Sequence, residues 1–418
     1  MRVVIAGGGI GGLTAALSLH EAGIDVVVHD AVADITPLGV GINILPHAAR
    51  ELIDLGLEAA VDRIAIRTSA MRYYTHTGQL VISQPCGLHA GYHWPQWSLH
   101  RGELHMLLLR TFEERAGAER VIRGSSLVDF SQHATGVSAR FRQARDGQVR
   151  SVDGDLLVGA DGLHSQVRRQ LYPQEGKPLY CGIVLYRAAV ESRSFLDGRS
   201  MVIIGDKRLR LVAYPIAEPQ RADDPECQLI NWIGVLPMRE GDAPVEDWDN
   251  VSVSDRLRPR YADWRFDWLD VPDLLSRSSK ILQFPVYDRD PLERWTFDRV
   301  SLLGDAAHPL IPVSSSGAVH AIIDGRALAY ALMQYRDPRE GLQAYEADRL
   351  EQANAVIRSS RDNGPDEVLE IVHRRCPEGC RDIEAFVPQT ELQAVIDDFK
   401  SRTGFAVESL NARPSYRI

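Results

Sequence analysis

Residues 1–30 read MRVVIAGGGIGGLTAALSLHEAGIDVVVHD, and this stretch decides the fold. A buried apolar strand at 3–6, a glycine turn, a helix at 13–22 and a second strand at 24–29 follow one another directly. Strand, helix and strand in this order are typical of a βαβ unit, which requires a parallel sheet. The sequence therefore predicts an α/β fold that begins with such a unit.

The turn after the first strand carries three spaced glycines, Gly7, Gly9 and Gly12. Gly7 permits the tight turn, Gly9 lets the backbone approach a pyrophosphate, and Gly12 lets the helix pack closely against the strand. The helix N-terminus offers free N–H groups to phosphates, and Asp30 can accept from ribose hydroxyls. We therefore predict a Rossmann-type dinucleotide site, since a turn used for packing alone is the weaker alternative. Asp30 disfavours NADP there, but NAD and FAD both stay open.

The rest of the chain divides into a helical part and a strand-rich part. Further helices are predicted at 46–56, 101–116, 317–335, 341–362 and 390–403. A hairpin is predicted at 71–83, short strands at 121–158, and a buried strand at 300–303. Between 179 and 285 the apolar alternation predicts a second, mostly antiparallel sheet, whose acidic loop at 242–255 is expected to be exposed.

Two further motifs follow buried strands. Gly159-Ala160-Asp161-Gly162 comes after the strand at 156–158 and by itself indicates only a turn. Gly304-Asp305-Ala306-Ala307-His308-Pro309 stands between a strand and a helix. A carboxylate at this strand end can bind a ribitol or ribose hydroxyl, and the next helix N-terminus can direct N–H groups at an electron-rich ring edge. His308 taken alone is more often a packed structural histidine than a catalyst.

Composition and charge narrow the class of protein. The chain has 418 residues, enough for two or three domains, and a formal net charge of −10, which argues against nucleic acid or anionic lipid as partners. It has no apolar run of membrane-spanning length and no signal-peptide pattern. The five scattered cysteines predict a reducing cytoplasm, and the pair Cys376 and Cys380 supplies too few ligands for zinc, so no metal is expected.

Taken together and in this order, the three glycine-containing motifs resemble those of the group A flavoprotein hydroxylases, the para-hydroxybenzoate hydroxylase family. The resemblance runs from residue 3 to about residue 350. Three more stretches are similar to the branch that contains the phenazine-carboxylate hydroxylases: GVGINILP at 39–46, SLHRGEL at 98–104 and DRDPL at 288–292.

This resemblance implies an FAD-dependent monooxygenase. NADH or NADPH would reduce the bound FAD, O₂ would form a C4a-hydroperoxide, and the oxygen would pass to a small aromatic or heteroaromatic substrate. The protein would bind, orient and exclude water, so no side-chain nucleophile is expected. Oligomeric state, substrate identity and the choice of nicotinamide stay open.

The resemblance also implies a set of FAD contacts. They are Gly7, Gly9, Ile10, Gly11 and Gly12 around the pyrophosphate, Asp30 at the adenosine ribose, Val40 and Gly41 at the flavin, Arg101 at the ribose and pyrophosphate, Leu127 at the adenine, Asp161 on the FAD side, Gly304 and Asp305 at the ribitol or pyrophosphate, Pro312, and Gly317 and Ala318 at the flavin pyrimidine edge.

The second sheet is expected to form the substrate pocket over the flavin. Its wall candidates are Tyr186, Arg187, Tyr214 and Trp232, although aromatic residues at this density are more often simply core. The predicted domains are a discontinuous FAD-binding domain, a substrate domain, and a C-terminal helical segment. They cover, in that order, residues 1–72, 99–178 and 283–360, residues 73–98 and 179–282, and residues 361–418.

One departure from the family follows Pro312. The family usually has a turn containing Gly and Asn there, whereas this chain has Val313-Ser314-Ser315-Ser316-Gly317, and Ser314 becomes a candidate substrate contact. Val319 and His320 also replace small and amide residues. These changes keep two alternatives open, an FAD-dependent oxidoreductase without aromatic hydroxylation and an inactive flavoprotein-like scaffold. A second glycine fingerprint is absent, which argues against a two-dinucleotide flavoprotein, and a plain NAD-dependent dehydrogenase would leave the motifs at Asp161 and Asp305 without a role.

Overall fold

A computed structural model of the chain describes residues 1–37, 39–219, 224, 226–237, 257–312, 316–362, 364–377, 379–380 and 382–418. The strands of the described part are β1 (Arg2–Ala6), β2 (Asp25–His29), β3 (Gly41–Ile44), β4 (Ala65–Arg67), β5 (Ala70–Tyr74), β6 (Leu80–Pro85), β7 (Trp97–His100), β8 (Val121–Ile122), β9 (Ser125–His133), β10 (Gly136–Gln143), β11 (Val149–Gly154), β12 (Leu156–Gly159), β13 (Leu179–Arg193), β14 (Met201–Asp206), β15 (Leu209–Ala217), β16 (Cys227–Pro237), β17 (Arg265–Phe266), β18 (Leu269–Asp270), β19 (Leu282–Asp288) and β20 (Val300–Leu302).

The α-helices of the same residues lie mostly around the parallel sheet and at the C-terminal end. They are α1 (Ile10–Glu21), α2 (Pro46–Asp54), α3 (Glu58–Asp62), α4 (Arg101–Ala116), α5 (Gln166–Leu171), α6 (Val271–Ser276), α7 (Ser316–Gln334), α8 (Pro338–Arg361), α9 (Glu367–Arg375), α10 (Gln389–Arg402) and α11 (Val407–Ala412).

The first sheet is parallel throughout and has the strand order β20-β12-β1-β2-β8. Its strands are short and almost wholly apolar, as expected where helices cover a sheet. Because parallel strands point the same way, the three motifs that follow β1, β12 and β20 emerge side by side at one edge. This edge is where open parallel sheets bind their ligands.

The second sheet has seven strands in the order β19-β13-β16-β15-β14-β5-β6. Its neighbours pair antiparallel except β14 and β5, which are parallel. Side chains alternate between its two faces. One face, here called the outer face, packs on an apolar cluster that contains Tyr186 and Trp232. The other, the inner face, carries Arg187 and Tyr214 toward the first sheet.

Two smaller three-stranded sheets complete the frame that positions the site. Strands β11, β10 and β9 form one antiparallel sheet, which lies beside the parallel sheet. Strands β3, β7 and β4 form the other antiparallel sheet, which lies next to the seven-stranded sheet. The C-terminal helices α9 and α10 pack against the inner-face cluster that includes Tyr73, Ile203 and Tyr214. The C-terminal segment thus covers the part of the inner face that lies beyond the parallel sheet.

The predicted fold class is confirmed, an α/β Rossmann-type part with an antiparallel second sheet and C-terminal helices. Helix α1 begins at Ile10 and not at the predicted residue 13. The low helix propensity of glycine led to the later predicted start, but Gly11 and Gly12 both belong to the helix. The sheet β3-β7-β4 was not predicted, since its strands of three or four residues are too short to show an alternation.

The acidic loop at 242–255 lies outside the described residues. Among the described helices, none combines the length and apolarity that crossing a bilayer demands.

Candidate functional site

A cavity of about 330 Å³, here called the first cavity, separates the carboxyl edge of the parallel sheet from the inner face of the seven-stranded sheet. Its size falls in the range of about 300–1,000 Å³ that is typical of ligand pockets. The residues that line it are Gly9, Ile10, Gly11, Gly12, Gly41, Ile42, Asn43, Arg101, Ala160, Gly162, Leu185, Arg187, Tyr214, Ile233, Leu303, Gly304, Asp305, Leu310, Pro312, Ser316, Gly317, Ala318 and Ala321.

The glycine turn forms one end of the first cavity. Gly7 has φ +109°, and a Cβ there would lie 2.2 Å from the Ala160 carbonyl oxygen, so only glycine fits. A Cβ at Gly12 would lie 2.0 Å from the Gly7 oxygen, whereas a Cβ at Gly9 would meet nothing within 4 Å. Gly7 and Gly12 are therefore required for packing, and Gly9 leaves open space at the start of α1. The N-terminus of α1 has no side-chain cap, so its first N–H groups are available to an anion.

Asp30 lies behind this turn. One of its carboxylate oxygens accepts from the Gly8 N–H at 2.7 Å, and the other accepts from the Val32 N–H at 2.7 Å. The side chain is half-buried. Because each carboxylate oxygen has a second lone pair, Asp30 can still accept from a hydroxyl of a ligand.

The motif after β20 forms the floor of the first cavity. The Gly304 N–H donates to Asp324, and the next residue, Asp305, exposes its carboxylate to the cavity. The surrounding protein raises the pKa of Asp305, because desolvation outweighs the attraction of His308 and Arg101. A Cβ at Gly317 would lie 3.8 Å from Asp305 Oδ1, so the first turn of α7 passes close to this carboxylate. Asp305 can therefore accept a hydrogen bond from a ligand in the cavity.

The inner face supplies two polar side chains that hold the strand β3. Arg187 donates to the Gly41 oxygen at 2.6 Å, and Asn231 Oδ1 accepts from the Gly41 N–H at 2.7 Å. The remaining Arg187 Nε and Asn231 Nδ2 are buried without a partner among the described residues. Burial lowers the pKa of Arg187, while Tyr214 beside it opposes that effect. The Arg187 side chain lines the first cavity, whereas Asn231 acts on the backbone of Gly41 from outside the cavity lining.

Eleven of the sixteen residues predicted to contact FAD line the first cavity, and five do not. The five are Gly7, Asp30, Val40, Leu127 and Asp161. The carboxylate of Asp161 instead accepts from Ser165 and from the N–H groups of Gln166 and Val167 at the start of α5. The Asp161 carboxylate thus stabilises the N-terminus of α5. The neighbouring Gly162, and not Asp161, lines the first cavity.

The four side chains predicted to line the substrate pocket lie on opposite faces of the second sheet. Arg187 and Tyr214 line the first cavity, but Tyr186 and Trp232 belong to the outer-face cluster, where Trp232 Nε1 donates to Ser278 at 2.8 Å. Asn231, which sequence reasoning missed, is the residue that the alternation brings to the inner face instead of Trp232. Ser314 and Ser315 lie outside the described residues.

Behind Asp305 lies a fully buried polar cluster that the sequence did not reveal. Asp324 accepts from His308 Nε2 at 2.5 Å and from Arg349 Nε at 2.9 Å, and Arg349 is 3.0 Å from His320 Nδ1. Burial by itself would raise the pKa of Asp324, but His308 and Arg349, which both donate hydrogen bonds to it, hold that pKa far below its ordinary value. His308 is therefore a packed side chain in this cluster, and it does not line the first cavity.

A smaller cavity of about 70 Å³, the second cavity, adjoins the first at Asn43, which lines both. Most of its wall is apolar or aromatic. The residues that line it are Asn43, Leu45, Met71, Tyr73, Gln84, Pro85, Cys86, Tyr92, Gln96, Met201, Ile203, Pro365, Ile396, Phe399, Lys400 and Phe405. Its wall is thus built by the inner face of the second sheet and by the C-terminal segment.

The geometry of the first cavity fits FAD. The open space at Gly9 and the uncapped start of α1 suit a pyrophosphate, and the exposed Asp305 carboxylate suits a ribitol hydroxyl. Arg101, whose N–H donates to the Val40 oxygen at 2.8 Å, places a guanidinium in the same cavity. A guanidinium can bind phosphate oxygens in a bidentate manner.

Comparisons with known proteins agree with this geometry. The FAD binding domain family matches residues 1–204 and 246–360. The chain is 45% identical to the phenazine 1,6-dicarboxylic acid hydroxylase of Lysobacter antibioticus over 86% of this chain and 89% of that protein. It is 31% identical to a 3-amino-4-hydroxybenzoate 2-monooxygenase of Streptomyces platensis, over 87% of each chain. The solved structure of Klebsiella pneumoniae HpxO with FAD and uric acid superposes with a TM-score of 0.77, at 23% identity over 96% and 97% of the two chains.

Proposed function

The chain belongs to the FAD binding domain family and is an FAD-dependent aromatic monooxygenase that uses NAD(P)H and O₂, and we propose that its substrate is an aromatic carboxylate of the phenazine type. The observation that carries the substrate class is the likeness to two relatives whose substrates are ring carboxylates, phenazine 1,6-dicarboxylic acid in one and 3-amino-4-hydroxybenzoate in the other. The apolar second cavity beside the first supports it, because a flat aromatic ring suits such walls.

For the cofactor, we propose that the first cavity holds FAD with the residues named above. Bound FAD, once reduced by NAD(P)H, supplies the activation of O₂ for transfer of one oxygen atom to an aromatic ring. The start of α1 would bind the pyrophosphate, Asp30 the adenosine ribose, and Asp305 a ribitol hydroxyl. Arg101 would neutralise phosphate charge, and the backbone of Gly317 and Ala318 would face the ring edge.

The inner face of the second sheet would orient the substrate against this cofactor. Arg187 and Asn231 fix the backbone of Gly41 from both its N–H and its oxygen, so the loop that begins β3 is held rigid. Tyr214 and the apolar Leu185 and Ile233 cover the same side of the first cavity. A rigid, largely apolar wall excludes water from the place where oxygen transfer occurs, which favours transfer to substrate over side reactions.

The domain boundaries are part of this proposal. The FAD-binding part would comprise residues 1–72, 99–178 and 283–360, the substrate part residues 73–98 and 179–282, and the helical segment residues 361–418. Strand β19 (Leu282–Asp288) pairs with β13, so the chain leaves the seven-stranded sheet only after Asp288, six residues beyond the proposed boundary at residue 282. The cofactor would lie where these parts meet.

A product assay tests the proposed function. The purified protein, supplied with FAD, is given NADH or NADPH together with phenazine-1-carboxylate, phenazine 1,6-dicarboxylate or 3-amino-4-hydroxybenzoate. We expect at least one acid to accelerate nicotinamide oxidation and to give a product in which mass spectrometry detects one added oxygen atom from ¹⁸O₂. Acceleration by neutral aromatics alone would contradict the carboxylate class, and hydrogen peroxide as the sole oxygen product with every acid would contradict the proposed substrate.

A further inference from the structure

The second cavity is closed on one side by a part of the chain that the FAD binding domain match does not include. That match ends at residue 360, whereas Ile396, Phe399 and Lys400 of α10 and Phe405 line the cavity. The opposite wall consists of inner-face residues such as Tyr73 and Ile203. The C-terminal segment therefore contributes its own side chains to whatever this cavity binds.

Lys400 is the one charged residue among those that line the second cavity in the described part of the chain. Its side chain is half-buried at the end of α10, between Phe399 and the turn that leads to Phe405. No ion pair or hydrogen bond of its ammonium group is found within the described ranges, although its charge reaches the thiol of Cys86 across the cavity. Among the described residues, the wall of this cavity thus includes one cationic side chain and no carboxylate.

An ammonium group beside apolar walls is costly unless an anion or water compensates its charge. Two polar neighbours on the same wall already have partners, since Gln84 donates to Gln393 at 2.7 Å and Asn43 accepts from Ser98 at 2.6 Å. A cavity of about 70 Å³ has room for roughly five water molecules at about 10–15 Å³ each, which is enough for part of a ring system. A flat ring carrying an anionic group would satisfy both the walls and the cation.

We propose that Lys400 binds the carboxylate of the aromatic substrate and so sets the preference of this enzyme for acids over neutral rings. Asn43 lines both cavities, so a ring system whose carboxylate meets Lys400 would extend toward the first cavity, where the cofactor is proposed. The inference rests on the proposed function, since it names the group that recognises the substrate. Lys400 acts here as a specificity-determining residue and takes no part in oxygen transfer.

The sharpest test removes the charge and keeps the length of the side chain. Lys400→Met retains the apolar stem that covers the cavity wall, whereas Lys400→Arg retains the charge. Arg402→Met is the matched control, because Arg402 is an exposed cation on the same helix that pairs with Asp398.

Isothermal titration calorimetry on the FAD-loaded proteins measures the dissociation constants of two pairs of probes. The pairs are phenazine-1-carboxylate with phenazine, and 3-amino-4-hydroxybenzoate with 2-aminophenol.

We expect Lys400→Met to weaken binding of the carboxylates at least about tenfold and to leave the neutral rings within about twofold, as loss of a charged hydrogen bond predicts. KM for the accepted acid should rise while kcat changes little, and Lys400→Arg should recover most of the affinity. Arg402→Met should match the wild type.

Equal losses for acid and neutral ring in Lys400→Met would assign Lys400 to shaping the wall and overturn the inference. An unchanged preference for acids would overturn it as well. If the wild type hydroxylates neutral rings as readily as acids, the inference fails while the monooxygenase reaction stands. If the wild type oxidises no aromatic compound, the proposed function itself fails.

Discussion

Asp305 exposes a carboxylate to the first cavity at the end of a buried strand, where most side chains are packed. If this carboxylate accepts a hydrogen bond from bound FAD, Asp305→Ala should weaken FAD binding by about 1–3 kcal/mol, a loss of roughly 5- to 150-fold in affinity. Titration of the apoprotein with FAD, followed by flavin fluorescence, measures it. Glu293→Ala, at an exposed position before β20, serves as the control. An unchanged FAD affinity in Asp305→Ala would remove this residue from the site.

His47 shows how a single buried imidazole sets a pH dependence. It lies in α2 against the rings of Phe405 and His320, and its Nδ1 has no partner in the described part of the chain. Burial, with the charges of Arg349, Arg50 and Arg413, lowers the pKa of His47 from 6.5 to about 3. Below pH 6.5 the unfolded chain therefore takes up a proton that the folded protein refuses, so stability falls as the pH falls from 6.5 toward 3.

The expected contribution of His47 is up to about 1.4 kcal/mol for each pH unit in that window. Urea unfolding at pH 7.5, 6.5 and 5.5 should show a smaller pH dependence for His47→Gln than for the wild type. His133→Gln, which alters an exposed histidine, should keep the wild-type slope. Parallel slopes in all three proteins would show that His47 is protonated without cost in the folded state.

Helices α1 and α7 cross at small residues, and this crossing holds the glycine turn in place. A Cβ at Gly325 of α7 would lie 2.6 Å from the Ala15 nitrogen of α1, so the two backbones touch there. Arg326, the next residue of α7, donates to Glu21 of α1 at 2.7 Å and so links the same two helices. The starts of both helices line the first cavity.

Gly325→Ala should therefore destabilise the protein by about 1–3 kcal/mol through overpacking, even though alanine favours a helix. Met333→Ala on the exposed side of α7 is the comparison. Thermal unfolding of both variants with saturating FAD measures the effect. A Gly325→Ala variant as stable as the wild type would mean that the two helices can move apart at this crossing without cost.

At the scale of the whole molecule, the ion pair of Arg210 and Asp366 links the C-terminal segment to the second sheet. Arg210 of β15 pairs with Asp366, which precedes α9, and both side chains are nearly inaccessible. Because truncation of one partner leaves the other charge buried, Asp366→Ala should cost about 3–5 kcal/mol. The exposed pair of Arg193 and Glu226 gives the contrast, since Glu226→Ala should cost at most about 1 kcal/mol.

Denaturant unfolding of the two single variants and of the double variant Arg210→Met, Asp366→Ala decides this point. The double variant should recover much of the loss, because it removes both buried charges. A single Asp366→Ala variant that is as stable as Glu226→Ala would show that water reaches Arg210, and that the C-terminal segment is held mainly by its apolar contacts.

The sequence by itself determined the βαβ unit, the three motifs at one edge of a parallel sheet and the family. These are local patterns, because Gly7, Gly12 and Asp305 act through spacing along the chain and through the ends of adjacent strands. The tertiary structure decided which side chains meet the cavity. The alternation in the second sheet turns Arg187 and Asn231 inward and Tyr186 and Trp232 outward, and a strand pattern alone does not say which face is covered. Lys400 of α10 lines the second cavity because the chain returns to pack on the inner face of the second sheet. This return comes some 200 residues after β14, and no local sequence pattern predicts a contact between residues so far apart.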